Sequence, residues 1–501
     1  MRTPQYFPAA LLAFALSGVV AGRAAQAQAQ TQAPLRLSDA LAEAESRAFA
    51  NRQARANAEA EQARAGLPLK GILPSARVEA GFVRTTDPIG AFGTLLRQRQ
   101  VTPAAFDPAR LNTPSPINNV QGGVVLEVPV VNADALIGWR AARTAARATQ
   151  AAADWAHYDV RHQVVRAYYG AVLAEEKVRM LAAAQNAAAA GVRQVERMVQ
   201  QGLVTKADAL QASVRAADVS AQLSAARNDA TTAAQQLALL LGRSNTAASA
   251  GIRLPDSLPA DSALRAMIAS LVVNTTADQA SREQQAASRA DVEAATLGLD
   301  AARLDARRAG ATLLPRVNGF ARYDWNSATT LYAGRPNWTV GIMASWSLFG
   351  GGSELADVAG ARARATMAVV GQEAARAQAE LEASATQRAL LVALERLDLM
   401  TQAATQSREA LRLVDKRYAG GLATIAELLA AETSATGAGL QQAAARYDVI
   451  VAAAAHRLAI GADPGQLAAL DTTPSGAANT SPTGSSTESS TQSSTSSTAR
   501  E

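Results

Sequence analysis

Hydrophobic residues recur with helical spacing through most of the chain. Two stretches without proline, residues 133–201 and 354–419, would each extend roughly 100 Å as continuous helices. Their background is alanine, the strongest helix former, with leucine and valine at wider intervals. This pattern predicts long helices that pack side by side along narrow seams. A soluble coiled-coil rod has the same pattern, so the helices alone leave that alternative open.

Four shorter segments alternate between polar and apolar residues, as strands do. They predict two hairpins, with strands at about 75–84 and 122–131 and at about 316–325 and 338–349. Charges lie on one side of the alternation and aromatic residues gather towards the strand ends, which is typical of outer-membrane β-barrel strands. The charged positions predicted to face a barrel lumen are Arg77, Glu79, Glu127, Arg322 and Asp324. On the strands alone, a soluble hairpin packed on helices is the alternative.

The chain repeats itself internally. Gly202-Leu203-Val204-Thr205 recurs 219 residues later as Gly421-Leu422-Ala423-Thr424, and Leu241-Gly242 recurs at the same offset as Ile460-Gly461. Two tandem halves follow, each with a helix, a strand, a loop, a strand, a very long helix, a tight turn and a returning helix. The predicted boundaries are 35–242 and 279–461 for the halves, 133–242 and 353–461 for their helical hairpins, and 243–278 for the linker.

Three segments stand outside this pattern. Residues 86–119, between the first two strands, contain five prolines and are predicted to be a long loop. Residues 471–501 are almost all Ser, Thr, Gly and Pro, which predicts a disordered tail. Residues 1–27 have a basic start, an apolar run and small residues suited to cleavage, which predicts a secretory signal peptide.

Composition narrows the chemistry further. There is no cysteine, so we expect no disulfide, no thiolate metal site and no lipid attached to a cysteine. The formal net charge of +5 is spread along helices that also carry acidic residues, which argues against a nucleic-acid partner. Only three histidines occur, at His157, His162 and His456, and their spacing favours no metal site. We find no catalytic constellation and predict neither an enzyme nor a cofactor.

The strand count predicts an oligomer. Four strands cannot close a barrel, and open strand edges are not tolerated in lipid. Strands from other copies must therefore complete it. Two copies give eight strands, which is narrow for a barrel that leads into a wide helical tube, whereas three copies give twelve.

These features together resemble the TolC-like outer-membrane efflux proteins. The resemblance covers Leu35 to about Gly461 and is strongest at the segment ends, namely Leu73-Pro74-Ser75, Leu314-Pro315-Arg316, Ser347-Leu348-Phe349-Gly350 and the two Gly-Leu-x-Thr turns. It implies a mainly α protein with a membrane β-barrel part, a homotrimer whose twelve-stranded outer-membrane barrel continues as a periplasmic helical tunnel. It also implies a passive, gated exit duct that works with a periplasmic adaptor and an inner-membrane RND or ABC pump.

The resemblance also assigns roles at the turns. It implies that the tips Gly202, Leu203, Val204, Thr205, Gly421, Leu422, Ala423 and Thr424 contact the adaptor. By position, it implies a periplasmic gate in which Asp208 bonds Tyr418 and Glu427 lines the narrowest ring. Ala423, Ala207 and Ala430 stand where further gate residues can occur, so the lock is expected to be looser. The alternatives are ordinary helix turns, capping or packing roles and a solvated Glu427, and, for the whole chain, a periplasmic coiled-coil scaffold bound peripherally to a membrane.

Overall fold

The computed structural model describes residues 34–243, 252–255, 257–273, 288–331 and 333–472. The predicted signal peptide at residues 1–27 lies outside these ranges, as do residues 473–501 of the predicted tail and much of the predicted linker. Among the described helices, none has an apolar run long enough to cross a membrane.

Helices make up most of the described chain. Two are very long, α5 with 68 residues and α9 with 67, and each is followed by a returning helix of 35 residues, α6 and α10. The helices in chain order are α1 Leu37–Arg47, α2 Phe49–Arg64, α3 Pro88–Gln98, α4 Pro108–Asn112, α5 Ala133–Gln200, α6 Lys206–Leu240, α7 Asp261–Val273, α8 Ala290–Ala311, α9 Ser353–Ala419 and α10 Ile425–Ala459. Short 3₁₀ turns cover Leu67–Gly71, Pro103–Phe106 and Pro464–Thr472.

The strands form one antiparallel sheet in the order β1-β2-β3-β4. Their bounds are β1 Ser75–Thr85, β2 Ile117–Val131, β3 Arg316–Ser327 and β4 Arg335–Ser345. The predicted strand at 338–349 is therefore wrong at both ends. It ends at Ser345 because its partner β3 begins at Arg316, which pairs with Ser345. Just beyond this pair, the indole of Trp346 donates to the carbonyl of Leu313 at 2.9 Å. The chain then turns into α9 through Gly351 and Gly352, which have φ of 73° and 86°.

The loop predicted at 86–119 is also wrong, because this segment contains helices α3 and α4 and the first residues of β2. Pro88 and Pro108 begin the two helices, where a missing backbone N–H costs nothing. The preceding aspartates cap them, since the carboxylate of Asp87 accepts from the amide of Gly90 at 2.6 Å and that of Asp107 accepts from Ala109 at 3.0 Å. Pro88 and Pro108 are thus helix starts and not loop residues.

The two faces of the sheet differ in chemistry. Arg77 pairs across the ladder with Val125 and then Arg322, and Glu79 with Gly123 and then Asp324, so these charges share one face. The opposite face is apolar and exposed in the single chain. Its large exposed residues are Val78, Phe82, Val124, Leu126, Tyr323, Trp338, Val340 and Ile342. An exposed apolar surface of this kind marks contact with a membrane or another protein.

The largest core cluster lies midway along the long helices. Tyr168 and Tyr169 of α5 are 0% and 1% exposed, and they pack with Leu237 of α6, Leu397 of α9 and Ile450 of α10. The hydroxyl of Tyr168 donates to the carbonyl of Leu35 at 2.8 Å, which satisfies its polar end. This cluster joins the helical hairpins of both halves into one bundle.

A buried arginine ties the second half to the same bundle. The guanidinium of Arg289, 2% exposed, stacks over the ring of Trp155 at 4.4 Å. It also donates to the carboxylates of Asp291 and Glu382 at 2.8 and 2.9 Å. A buried charge that is paired and stacked in this way fixes the start of α8 against α5 and α9.

Candidate functional site

The two helix tips have the same backbone geometry. Gly202 and Gly421 end α5 and α9 with φ of 72° and 71°. The amide of Leu203 donates to the carbonyl of Met198 at 2.9 Å, and the amide of Leu422 donates to that of Arg417 at 2.8 Å. This is the Schellman motif, in which glycine is favoured because of its left-handed φ. The repeat in the sequence thus corresponds to a repeat in the backbone.

The tip residues differ in exposure. Leu203 and Leu422 are 66% and 74% exposed, so each hairpin presents one apolar side chain. Val204 instead packs on a small tip cluster formed by Val195, Ala212 and Ile425. That cluster joins both hairpins near their ends, and each hairpin carries one of the two exposed leucines.

Asp208 and Glu427 occupy equivalent positions, 219 residues apart, in the first turn of α6 and of α10. The carboxylate of Asp208 accepts from the amide and the hydroxyl of Thr205, at 2.9 and 2.7 Å. These two hydrogen bonds lower the pKa of Asp208. The amide of Glu427 donates to the hydroxyl of Thr424 at 3.2 Å. Thr205 and Asp208 thus form a capping box at the start of α6, whereas at the start of α10 it is the Thr424 side chain that caps the helix.

The hydroxyl of Tyr418 lies 3.8 Å from the sulfur of Met198, on the facing helix. Burial, and then the charge of Asp208, raise the pKa of Tyr418. Asp208 is thus near enough to act on Tyr418 electrostatically, while its described hydrogen bonds go to Thr205. The gate role of Asp208, Tyr418 and Glu427 stays a prediction.

Sequence reasoning missed two charged residues near the tips. The guanidinium of Arg417 donates to the carbonyl of Leu422 at 3.0 Å and lies 3.8 Å from the carboxylate of Glu427. Ala423 stands where the resemblance allows a gate arginine, and Arg417 places a positive charge beside this position. Glu432 of α10 is half-buried, and this burial raises its pKa. No sequence signal marks Glu432, because its burial comes from neighbouring helices.

Four of the five predicted lumen charges form a continuous row of ion pairs across the sheet, here called the lane: Arg77, Glu79, Arg322 and Asp324. Glu79 lies 4.0 Å from Arg77 and 3.8 Å from Arg322, and Arg322 lies 3.6 Å from Asp324. The fifth, Glu127, is separate and accepts from the amide of Asn318 at 3.3 Å. Exposed ion pairs at these distances contribute little stability individually. The lane is therefore a solvent-exposed surface whose charges nearly balance.

Glu127 lines a cavity of about 1000 Å³ where the sheet meets the helices. The charged groups of this cavity are Lys70, Arg77, Glu127, Asp134, Asp305, Arg308 and Arg364. Within the part of the chain that the structure describes, no group of three or more His, Asp or Glu residues is placed to hold a metal ion.

A small sheet with one charged and one exposed apolar face, continued by paired long helices, is the pattern of an outer-membrane channel protein. The chain belongs to the outer membrane efflux protein family, whose model matches residues 37–243 and 282–462. The predicted TolC-like resemblance is confirmed at the level of the family. This is a family of outer-membrane channels and not of enzymes. No curated protein matches the chain.

Solved channel structures have the same fold. The chain superposes on the outer-membrane channel CmeC of Campylobacter jejuni with a TM-score of 0.71 and 16% identity, covering 85% of each chain. For VceC of Vibrio cholerae the TM-score is 0.68 with 20% identity, covering 85% of this chain and 96% of that one. For the open state of MtrE of Neisseria gonorrhoeae it is 0.67 with 19% identity, covering 85% and 89%.

Proposed function

We propose that three copies of this chain form an outer-membrane exit duct for a tripartite efflux or type I secretion system. The observation that carries the proposal is the sheet, which is charged on one face and apolar and exposed on the other. In a closed barrel the charged face lines a wet lumen and the apolar face contacts lipid.

The edges of the sheet support the threefold assembly. In the described chain, β1 pairs only with β2, and β4 pairs only with β3. Unpaired backbone groups are costly in lipid, so β1 of one copy would pair with β4 of the next. Three copies give twelve strands, and their long helices would continue the barrel as a periplasmic tunnel.

The helix tips lie at the far end of α5 and α9 from the sheet, so they would project into the periplasm. There Leu203 and Leu422 present the apolar surface that we assign to a periplasmic adaptor, which links the duct to an inner-membrane RND or ABC pump. The same end would carry the gate, with Asp208, Tyr418 and Glu427 around the axis and Arg417 beside Glu427. The duct itself performs no chemistry.

Single-particle imaging of the full chain, extracted in detergent from outer membranes, tests this proposal. The expected particle has threefold symmetry, a detergent-covered barrel at one end and a tube of roughly 100 Å at the other. A thin rod without a detergent belt would overturn the proposal and favour the peripheral coiled-coil scaffold instead. Extraction of the protein from membranes by salt or alkali alone would also favour the scaffold.

A further inference from the structure

Helix α3, in the insertion between β1 and β2, packs against the sheet. Its buried residues are Ala91, Thr94 and Gln98, which lie on one side of the helix. Ile89 and Leu96, 85% and 53% exposed, lie on the opposite side. The helix contacts β2, β3 and β4, so it crosses the end of the sheet that is remote from the long helices.

A chain of buried amides fixes α3 to the charged face. The amide of Gln98 donates to the side-chain oxygen of Asn119 at 3.0 Å, and Asn119 donates to that of Asn326 at 2.8 Å. Asn326 in turn donates to the carboxylate of Asp324 at 2.8 Å. The three amide residues are 5%, 4% and 2% exposed. Breaking one member would leave a buried polar partner unsatisfied, so the arrangement is strongly specified.

The end of α3 has a second attachment. Arg99 adopts a left-handed conformation with φ of 53°, at a position where helices usually have glycine. Its guanidinium donates to the carbonyl of Pro336, at the start of β4, at 3.2 Å. The strained backbone at Arg99 is thus accompanied by a side-chain contact that glycine cannot make.

We propose that α3 is a lid over the outer mouth of the channel and sets which solutes can enter it from outside. The lid rests on the proposed function, which makes the charged face the lumen wall. The β1–β2 connection lies at the end of the sheet opposite the periplasmic helices, so α3 lies at the outer mouth on the lumen side. In a trimer, three such helices would direct Ile89 and Leu96 into the opening. Solutes that leave the cell through the channel must then displace these helices.

The absence of cysteine from the chain allows a direct test by thiol labelling. Thr339→Cys places a reporter on the charged face, deeper along β4 than Pro336, and Val340→Cys places one on the apolar face. Intact cells carrying the full chain are treated with a small cationic methanethiosulfonate or with a bulky maleimide-poly(ethylene glycol). We expect Thr339→Cys to react with the small reagent and to be protected from the bulky one.

Releasing the lid should remove this protection. Gln98→Ala removes the donor to the side chain of Asn119 and to the carbonyl of Asn118. We expect labelling of Thr339→Cys by the bulky reagent to rise by at least about tenfold, the factor that corresponds to the loss of one buried hydrogen bond. Arg99→Ala removes an exposed contact without touching the amide chain, so it tests the lid even where Gln98→Ala fails to fold. Arg97→Ala, an exposed arginine on the same helix, is the matched control and should leave labelling unchanged.

The outcomes separate the lid from the duct. If the bulky reagent labels Thr339→Cys equally with and without Gln98→Ala or Arg99→Ala, the lid is refuted while the lumen assignment stands. If Val340→Cys reacts as readily as Thr339→Cys, the charged face is not the lumen wall, and the proposed function and the lid are both overturned.

Discussion

At the scale of single residues, the structure gives the charged side chains near the tips unequal roles. Asp208 and Glu427 lie in the first turns of α6 and α10, and hydrogen bonds from Thr205 lower the pKa of Asp208. Glu432 is half-buried between helices, with Arg215 opposing and Asp415 reinforcing the rise in its pKa that burial causes. Of these three carboxylates, Glu432 is the one whose pKa burial raises.

Glu432→Gln should change the pH dependence of stability. The pKa of Glu432 is raised above 4.5 in the folded chain, so the folded state binds this proton more tightly than the unfolded state does. Stability from this group therefore grows as the pH falls through the raised pKa, and the charged form is unfavourable at neutral pH. We expect Glu432→Gln to raise the melting temperature at pH 7 by about 1–2 °C. This gain should shrink as the pH falls through the raised pKa and vanish below the unfolded value of 4.5.

Circular dichroism melts of the detergent-extracted trimer across this pH range provide the measurement. Gln441→Ala, at an exposed position on the same helix without a titratable group, is the control and should change the melting temperature by the same amount at every pH. A constant difference between wild type and Glu432→Gln at every pH would show that burial of Glu432 does not control its proton.

At the scale of elements, glycine lowers stability inside a helix but favours the turn that ends it. Gly202 lies at the end of α5 with φ of 72°, whereas Gly191 lies inside α5 with a negative φ. An added Cβ would meet no atom within 4 Å at either position. Backbone conformation alone therefore decides what alanine does at each.

Gly202→Ala should lower the free energy of unfolding by about 1 kcal/mol, because alanine is disfavoured in the left-handed region. Gly191→Ala should raise it by about 1 kcal/mol, because alanine is the better residue inside a helix. Denaturant unfolding of the two variants measures both changes. Equal signs would mean that the tip turn relaxes to another conformation and that the Schellman geometry is not required.

At the scale of the whole molecule, the two ends of the chain face different surroundings. One end has the exposed apolar sheet face, and the other has the exposed Leu203 and Leu422 at the hairpin tips that the tip cluster joins. A single chain leaves all of these surfaces exposed, so each needs lipid, further copies or a partner to cover it. The shared fold with CmeC and VceC gives the same division into sheet and long helices.

Leu203→Glu combined with Leu422→Glu should abolish export while leaving trimers in the outer membrane. The two charges would lie on the apolar surface that we assign to the adaptor, and a desolvated carboxylate there is unfavourable. Export of a pump substrate from cells, with trimers followed on gels in parallel, measures both effects. Gln201→Glu adds the same charge at a neighbouring exposed position and should export normally. Full export by the double variant would remove the docking role.

The sequence by itself determined the long helices, the four strands, the internal repeat and the family. Helical and strand periodicities are local, so the long helices, four strands and charged face could be predicted from the spacing of residues alone. Only the tertiary structure decided which side chains meet. The lane from Arg77 to Asp324 depends on strand register, and the burial of Glu432 and Val204 depends on packing between hairpins. Residues 86–119 show the same limit of sequence-based prediction, because a proline is equally compatible with a turn and with the first residue of a helix. The cap from Asp87 and the buried hydrogen bond from Gln98 to Asn119 stabilise helix α3 in this segment.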